Sequence, residues 1–126
     1  MSHIPPISLK ANSTIPAYRI VTALTGTAMS VKLPASAAEC PLGVSQDTVL
    51  ETGAAIPIAG PGSISKLYFN DTIAAGRLVA SNNAGQGVLH ADVTAGSYVV
   101  GISLEPVAAT GTIAKIFVQP FFKSIP

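Results

Sequence analysis

At 126 residues the chain is the size of one domain, long enough to bury a core but short for two of ordinary size. Hydrophobic residues make up 48% and charged ones only 10%, against about 25% charged in soluble domains, so the chain is expected to spend its life in an assembly rather than fully exposed. The net charge of +1 comes from scattered Lys and Arg with no basic stripe, and Cys40 stands alone, which argues against nucleic acid, an intrachain disulfide and a multi-cysteine metal site.

Residues 1–6, Met-Ser-His-Ile-Pro-Pro, form an extended arm stiffened by Pro5 and Pro6. The arm lacks the basic and apolar regions of a signal peptide, and no apolar run reaches the length of a membrane span. The expectation is therefore a soluble protein made in the cytoplasm. Strands are predicted at 18–24, 29–33, 63–69, 77–81, 97–104 and 112–119, short runs rich in β-branched and aromatic residues. Turn formers separate them: Thr25-Gly26, Gly60-Pro61-Gly62, Asn82 through Gly87, Ala95-Gly96 and Thr110-Gly111. Ten prolines and eleven glycines leave no room for a long amphipathic helix, and residues 33–38 could hold a single turn at best. Residues 120–126, Pro-Phe-Phe-Lys-Ser-Ile-Pro, read as an apolar tail.

The chain repeats itself. Sliding it by 58 positions lays Asn12 through Val21 on Asn70 through Val79, Leu42-Gly-Val-Ser45 on Val100-Gly-Ile-Ser103, and Thr52-Gly53 on Thr110-Gly111. The overlap holds about 14 identities in about 52 pairs, where about four would arise by chance. Tyr18 faces Gly76 in this alignment, so the halves are not interchangeable. The expected fold class is all-β: a small sandwich or barrel over residues 7–119, built from two pseudo-equivalent repeats at 9–60 and 67–118, with the N-terminal arm outside it.

No constellation carries chemistry. His3 and His90 are the only histidines, and no Ser or Cys has a nucleophile-elbow context, so His90 is expected to be a surface or interface residue. Asp47 and Glu105 occupy equivalent positions after a strand, where a solvated turn needs an acid anyway. Arg19 and Arg77 are read as edge or bridging salt links, and Cys40 as a small packing residue. Gly60-Pro61-Gly62 lacks the Lys-Ser/Thr of a phosphate loop. Catalytic, cofactor-binding and metal residues are accordingly none.

The run Ile15-Pro-Ala-Tyr-Arg-Ile-Val21, then Leu42-Gly-Val-Ser45 and Thr52-Gly-Ala-Ala-Ile-Pro-Ile58, resembles the capsid decoration proteins of tailed phages, also called cement or head-stabilising proteins. Its counterpart in the second half, from Ile73-Ala-Ala-Gly-Arg-Leu-Val-Ala-Ser through Val99–Glu105 to Ile113–Val118, looks like the closing half of the same family. The resemblance covers nearly all of residues 7 to 119 and rests on the order and spacing of weak motifs. It implies a non-enzymatic homotrimer on the outer capsid surface of a virion, locking neighbouring major capsid proteins together. No cofactor, nucleic acid, membrane or small-molecule substrate is expected. The capsid or trimer contacts are expected at Ile4, Pro5 and Pro6 of the arm and at Phe121 and Phe122 of the tail. Adjacent residues on a strand face opposite ways, so one core cannot easily take both phenylalanines. Two other classes stay open: a fibre, baseplate or adhesion module, and a trimeric all-β enzyme of the dUTPase type.

Overall fold

The structure, a computed structural model, describes residues 7–92 and 97–123. The described residues form ten strands: β1 (Ile7–Ala11), β2 (Ile20–Ala23), β3 (Ser30–Lys32), β4 (Pro41–Ser45), β5 (Ala55–Ala59), β6 (Ile64–Tyr68), β7 (Leu78–Ser81), β8 (Gly87–Leu89), β9 (Ser97–Ser103) and β10 (Ile113–Lys123). One 3-10 turn, His90–Asp92, follows β8, and no α-helix occurs among these residues. The chain is all-β because Gly and Pro punctuate it too often for a helix to propagate, while its Val and Ile suit a pleated surface.

The first five strands close into a barrel in the order β1-β3-β2-β4-β5, with β5 pairing back onto β1. The last five form a sheet in the order β6-β10-β9-β7-β8, an incompletely closed counterpart of the first barrel, here termed the second barrel. Replacing each strand by the one five places later turns the first arrangement into the second, including the parallel contact of β1 with β3 and of Phe69 with Gly87. Local details repeat as well. Ser45 and Ser103 donate through Oγ to the carbonyls of Pro16 and Ala74, at 2.7 and 2.8 Å, and accept from the N–H groups of Arg19 and Arg77. Isolated bridges join Ile15 to Val49 and Ile73 to Val107. Tyr18 and Gly76 share a left-handed backbone, φ 61° and 82°. Only glycine adopts that conformation freely, so Tyr18 bears a strain of about 1–2 kcal/mol that its counterpart avoids.

The correspondence slips at one place. Ala11 pairs with Val31, whereas Phe69 bridges Gly87, so Gly87 stands in the place of Val31 at a spacing of 56. The hairpin between β7 and β8 is two residues shorter than the one between β2 and β3. Leu33 therefore corresponds to Leu89, and each lies partly buried against its own core.

The two halves differ most at the seam where β1 meets β3 and β6 meets β8. In the first barrel the seam is closed directly: Lys10 N–H donates to the Met29 carbonyl at 2.8 Å. In the second, residues 18–20 of the first barrel wedge it open. Tyr68 N–H donates to the Tyr18 carbonyl at 2.9 Å, and Ile20 N–H donates to the Gly85 carbonyl at 2.7 Å.

The wedge carries apolar side chains with it. The first core gathers Ala11, Ile15, Val21, Val31, Val49, Ile56 and Ile58. Ile20 and Val44 alternate out of that core and join the second one, with Leu67, Phe69, Val79 and Ile116. The outer face of the first barrel is thus part of the interior of the second. A glycine turn, Gly60-Pro61-Gly62-Ser63, links the barrels, with Pro61 at its second position and Gly62 at φ 89°.

Candidate interaction surfaces

Ile4, Pro5 and Pro6 lie outside the described residues. Phe121 and Phe122 belong to β10 rather than to a separate tail: they pair with Val99 and Tyr98 of β9. The register shifts between Val118 and Phe121, a bulge that accommodates Pro120, which has no N–H to give to the ladder. Phe121 is 39% and Phe122 55% exposed, and the Phe122 ring meets Tyr98 edge-on at 5.2 Å. This aromatic pair forms one open apolar surface on the second barrel.

A second apolar surface crosses β7, β9, β10 and β6. Leu78 stands opposite Ile102, Ile102 opposite Phe117, and Phe117 opposite Ile64. The first three are half-buried and Ile64 is exposed. Their counterparts Ile20, Val44 and Ala59 form the same cross-strand row in the first barrel, where the second barrel covers them. Beside Leu78 opens a notch of about 130 Å³ lined by Arg77, Leu78, Leu89, His90, Ala91 and Lys123.

A cleft of about 250 Å³ lies at the junction of the barrels, lined by Tyr18, Gln46, Ile64, Ser65, Lys66 and Lys115. Gln46 Nε2 donates to Ser65 Oγ across it at 2.9 Å. Lys66 and Lys115 are direct cross-strand neighbours, so two like charges share one wall. The cleft brings no acid and base together.

Three sequence expectations need correction. His90 is buried, not at the surface: only 2% of it is exposed, and Nε2 lies 2.9 Å from Ser97 Oγ. This Ser–His pair was invisible in the sequence, because neither residue stands in a motif. Ser97 is itself buried, 3% exposed. Arg19 makes no salt link among the described residues; its guanidinium stacks 4.1 Å from the Tyr68 ring centroid and Nη1 donates to the Ala17 carbonyl at 3.0 Å. Burial there pulls its pKa down, and the charge interaction with Tyr68 partly opposes that. Cys40 is exposed instead of packed.

The remaining polar groups are architectural. Asp47 and Glu105 are exposed, and Glu105 Oε1 accepts from Lys115 N–H at 2.9 Å. Lys32 and Glu39 form an ion pair at 2.9 Å. Glu39 also accepts from the Ala35 N–H, and that hydrogen bond, followed by the one from Lys32, holds its carboxyl below the usual range. Among the described residues no three His, Cys, Asp or Glu side chains cluster as metal ligands, and no helix is long and apolar enough to cross a membrane.

No protein-family model matches the chain, and no curated protein matches its sequence. Among solved structures it is similar to the N base of the head fiber gp8.5 of bacteriophage phi29, at 17% identity and a TM-score of 0.67. The match covers 90% of this chain and 92% of that one, so the likeness takes in both barrels and not one repeat alone. At that identity it establishes a shared fold.

Proposed function

We propose that this chain is a non-enzymatic structural protein of a tailed-phage virion that binds the outer surface of the assembled head and stabilises contacts between major capsid proteins. The observation that carries this reading is the likeness of the whole double barrel to the base of a phage head fiber. The charge-poor surface and the two open apolar surfaces on the second barrel support it, since affinity between large rigid partners comes from such patches. The sealed Ser97–His90 pair supports a role without turnover. Assembly as a homotrimer is part of the proposal, because few charges must cover a large surface. Contacts through Ile4, Pro5, Pro6, Phe121 and Phe122 are part of it too.

The test is to add purified chain to heads of the encoding phage assembled without it, and to measure occupancy by imaging and head survival on heating. Bound density on the outer surface with heads that withstand more heat is the expected result; failure to bind would end the proposal. A second reading, the base of a head fiber, is favoured by what the structural neighbour is. It predicts bound density with no gain in head stability and a further protein attached above it.

A further inference from the structure

We infer that the notch beside Leu78 is a docking site, and that its occupant is a glycine turn at an open β edge of a head subunit, flanked by a carboxylate. The inference rests on the head-binding reading and says where and how the contact is made.

The molecule contains the bound form of this surface. In the first barrel Arg19, Ile20 and Leu33 form a notch, and the Gly85 turn of the second barrel fills it. A Cβ on Gly85 would lie 2.6 Å from the Ile20 carbonyl oxygen, 2.9 Å from Leu33 Cδ2 and 3.2 Å from Arg19 Cβ. Only glycine comes that close. The Gly85 carbonyl then accepts the Ile20 N–H.

The corresponding residues of the second barrel are Arg77, Leu78 and Leu89, and all three line the open notch. Arg77 and Gly76 repeat the backbone of Arg19 and Tyr18, with Arg77 N–H on Ser103 Oγ and Gly76 at φ 82°. Leu78 therefore presents its N–H in the direction that Ile20 does. The apolar row Leu78–Ile102–Phe117 runs away from the notch as Ile20–Val44–Ala59 does from the first.

The occupant is not a second copy of the first barrel. There the seam is already closed by Lys10 N–H on the Met29 carbonyl, and the residue in the place of Gly85 is Met29, whose side chain the notch would not admit. Charge completes the description. The first notch offers one arginine, already stacked on Tyr68, whereas the second offers Arg77 and Lys123. Two cations beside the Leu78 N–H favour a turn that brings a carboxylate with its carbonyl.

The experiment uses the full chain and heads assembled without it. Ala91→Trp fills the notch from its exposed rim, Arg77→Glu with Lys123→Glu reverses its charge, and Ala28→Trp places the same bulk on an exposed turn of the first barrel. Ala91→Trp and the charge reversal should each weaken head binding at least about tenfold with unchanged melting, while Ala28→Trp binds as the parent does. Amide exchange at Leu78 should slow on heads and not in the free chain. If the parent binds heads but Ala91→Trp binds equally well, the docking site is wrong and the head reading stands. If the parent does not bind heads, both fall. If Leu78 is instead protected by self-association of the free chain, seen in sedimentation, the occupant is a second copy and the assignment to a head subunit is overturned.

Discussion

The two barrels share a strand order, a set of buried serine contacts and a left-handed residue before the second strand, yet one is closed and the other is wedged open. Duplicated sequence fixes the path of the backbone, and the neighbour decides what each surface becomes. Ile20 and Leu78 occupy the same place in the two halves; Ile20 is fully buried because a second barrel lies on it, and Leu78 is half-buried because none does. The same row of side chains is core in one copy and available surface in the other.

Substitutions can break or sharpen this comparison. The largest effect is expected where the halves agree. A Cβ on Gly43 would collide with the Ala59 carbonyl, and one on Gly101 with the Phe117 carbonyl. Gly43→Ala and Gly101→Ala should therefore each cost at least about 3 kcal/mol, read from urea denaturation. A tolerated change in one barrel only would show that the equivalence is superficial. Next, Ile20→Ala should cost about 2–4 kcal/mol and Leu78→Ala about 1 or less, since only the first opens a cavity; equal costs would remove the distinction between covered and uncovered faces. Gly76→Ala meets nothing within 4 Å, so its cost is the left-handed backbone alone, about 1 kcal/mol. Gly85→Ala should exceed it, because its methyl group pushes the barrels apart.

The smallest effect concerns pH. Glu39 has its carboxyl pKa lowered on folding, so its stabilising contribution is present above the unfolded pKa and fades as pH falls through the folded one. Glu39→Gln should flatten the stability curve slightly in acid and leave it unchanged near neutrality. The residue at the equivalent position in the second half is Ser97, so no matching change is expected there.

Much of the fold was legible because repetition survives in sequence better than any single strand does. All six predicted strands are present, and the fold class with its barrel is as expected. Of the four strands that sequence missed, β1 has no breaker, and the other three have breakers inside them. β4 starts at Pro41 and contains Gly43, β5 carries Pro57 at its centre, and β8 begins at Gly87. Each breaker is tolerated for a local reason; Pro57, for instance, still offers its carbonyl to Gln46 N–H at 2.9 Å. An ungapped alignment also set Val31 against Leu89, hiding the shorter hairpin between β7 and β8. The surfaces were less legible. Whether an apolar side chain faces a core or a partner depends on which barrel lies over it, and Ile20 and Leu78 look alike in sequence.

The wedged seam bears on the order in which the molecule can be made. The first barrel closes with its own hydrogen bonds, so it can complete itself as soon as its fifth strand has left the ribosome. The second cannot: beyond the direct bridge of Phe69 with Gly87 its seam is joined through Tyr18 and Ile20, and its interior is filled by Ile20 and Val44. Synthesis from the N-terminus delivers the template before the part that needs it. A circular permutant that begins at β6 reverses this order, leaving an unclosed sheet with exposed apolar edges until the last strand arrives, and should aggregate during expression although its final contacts are the same.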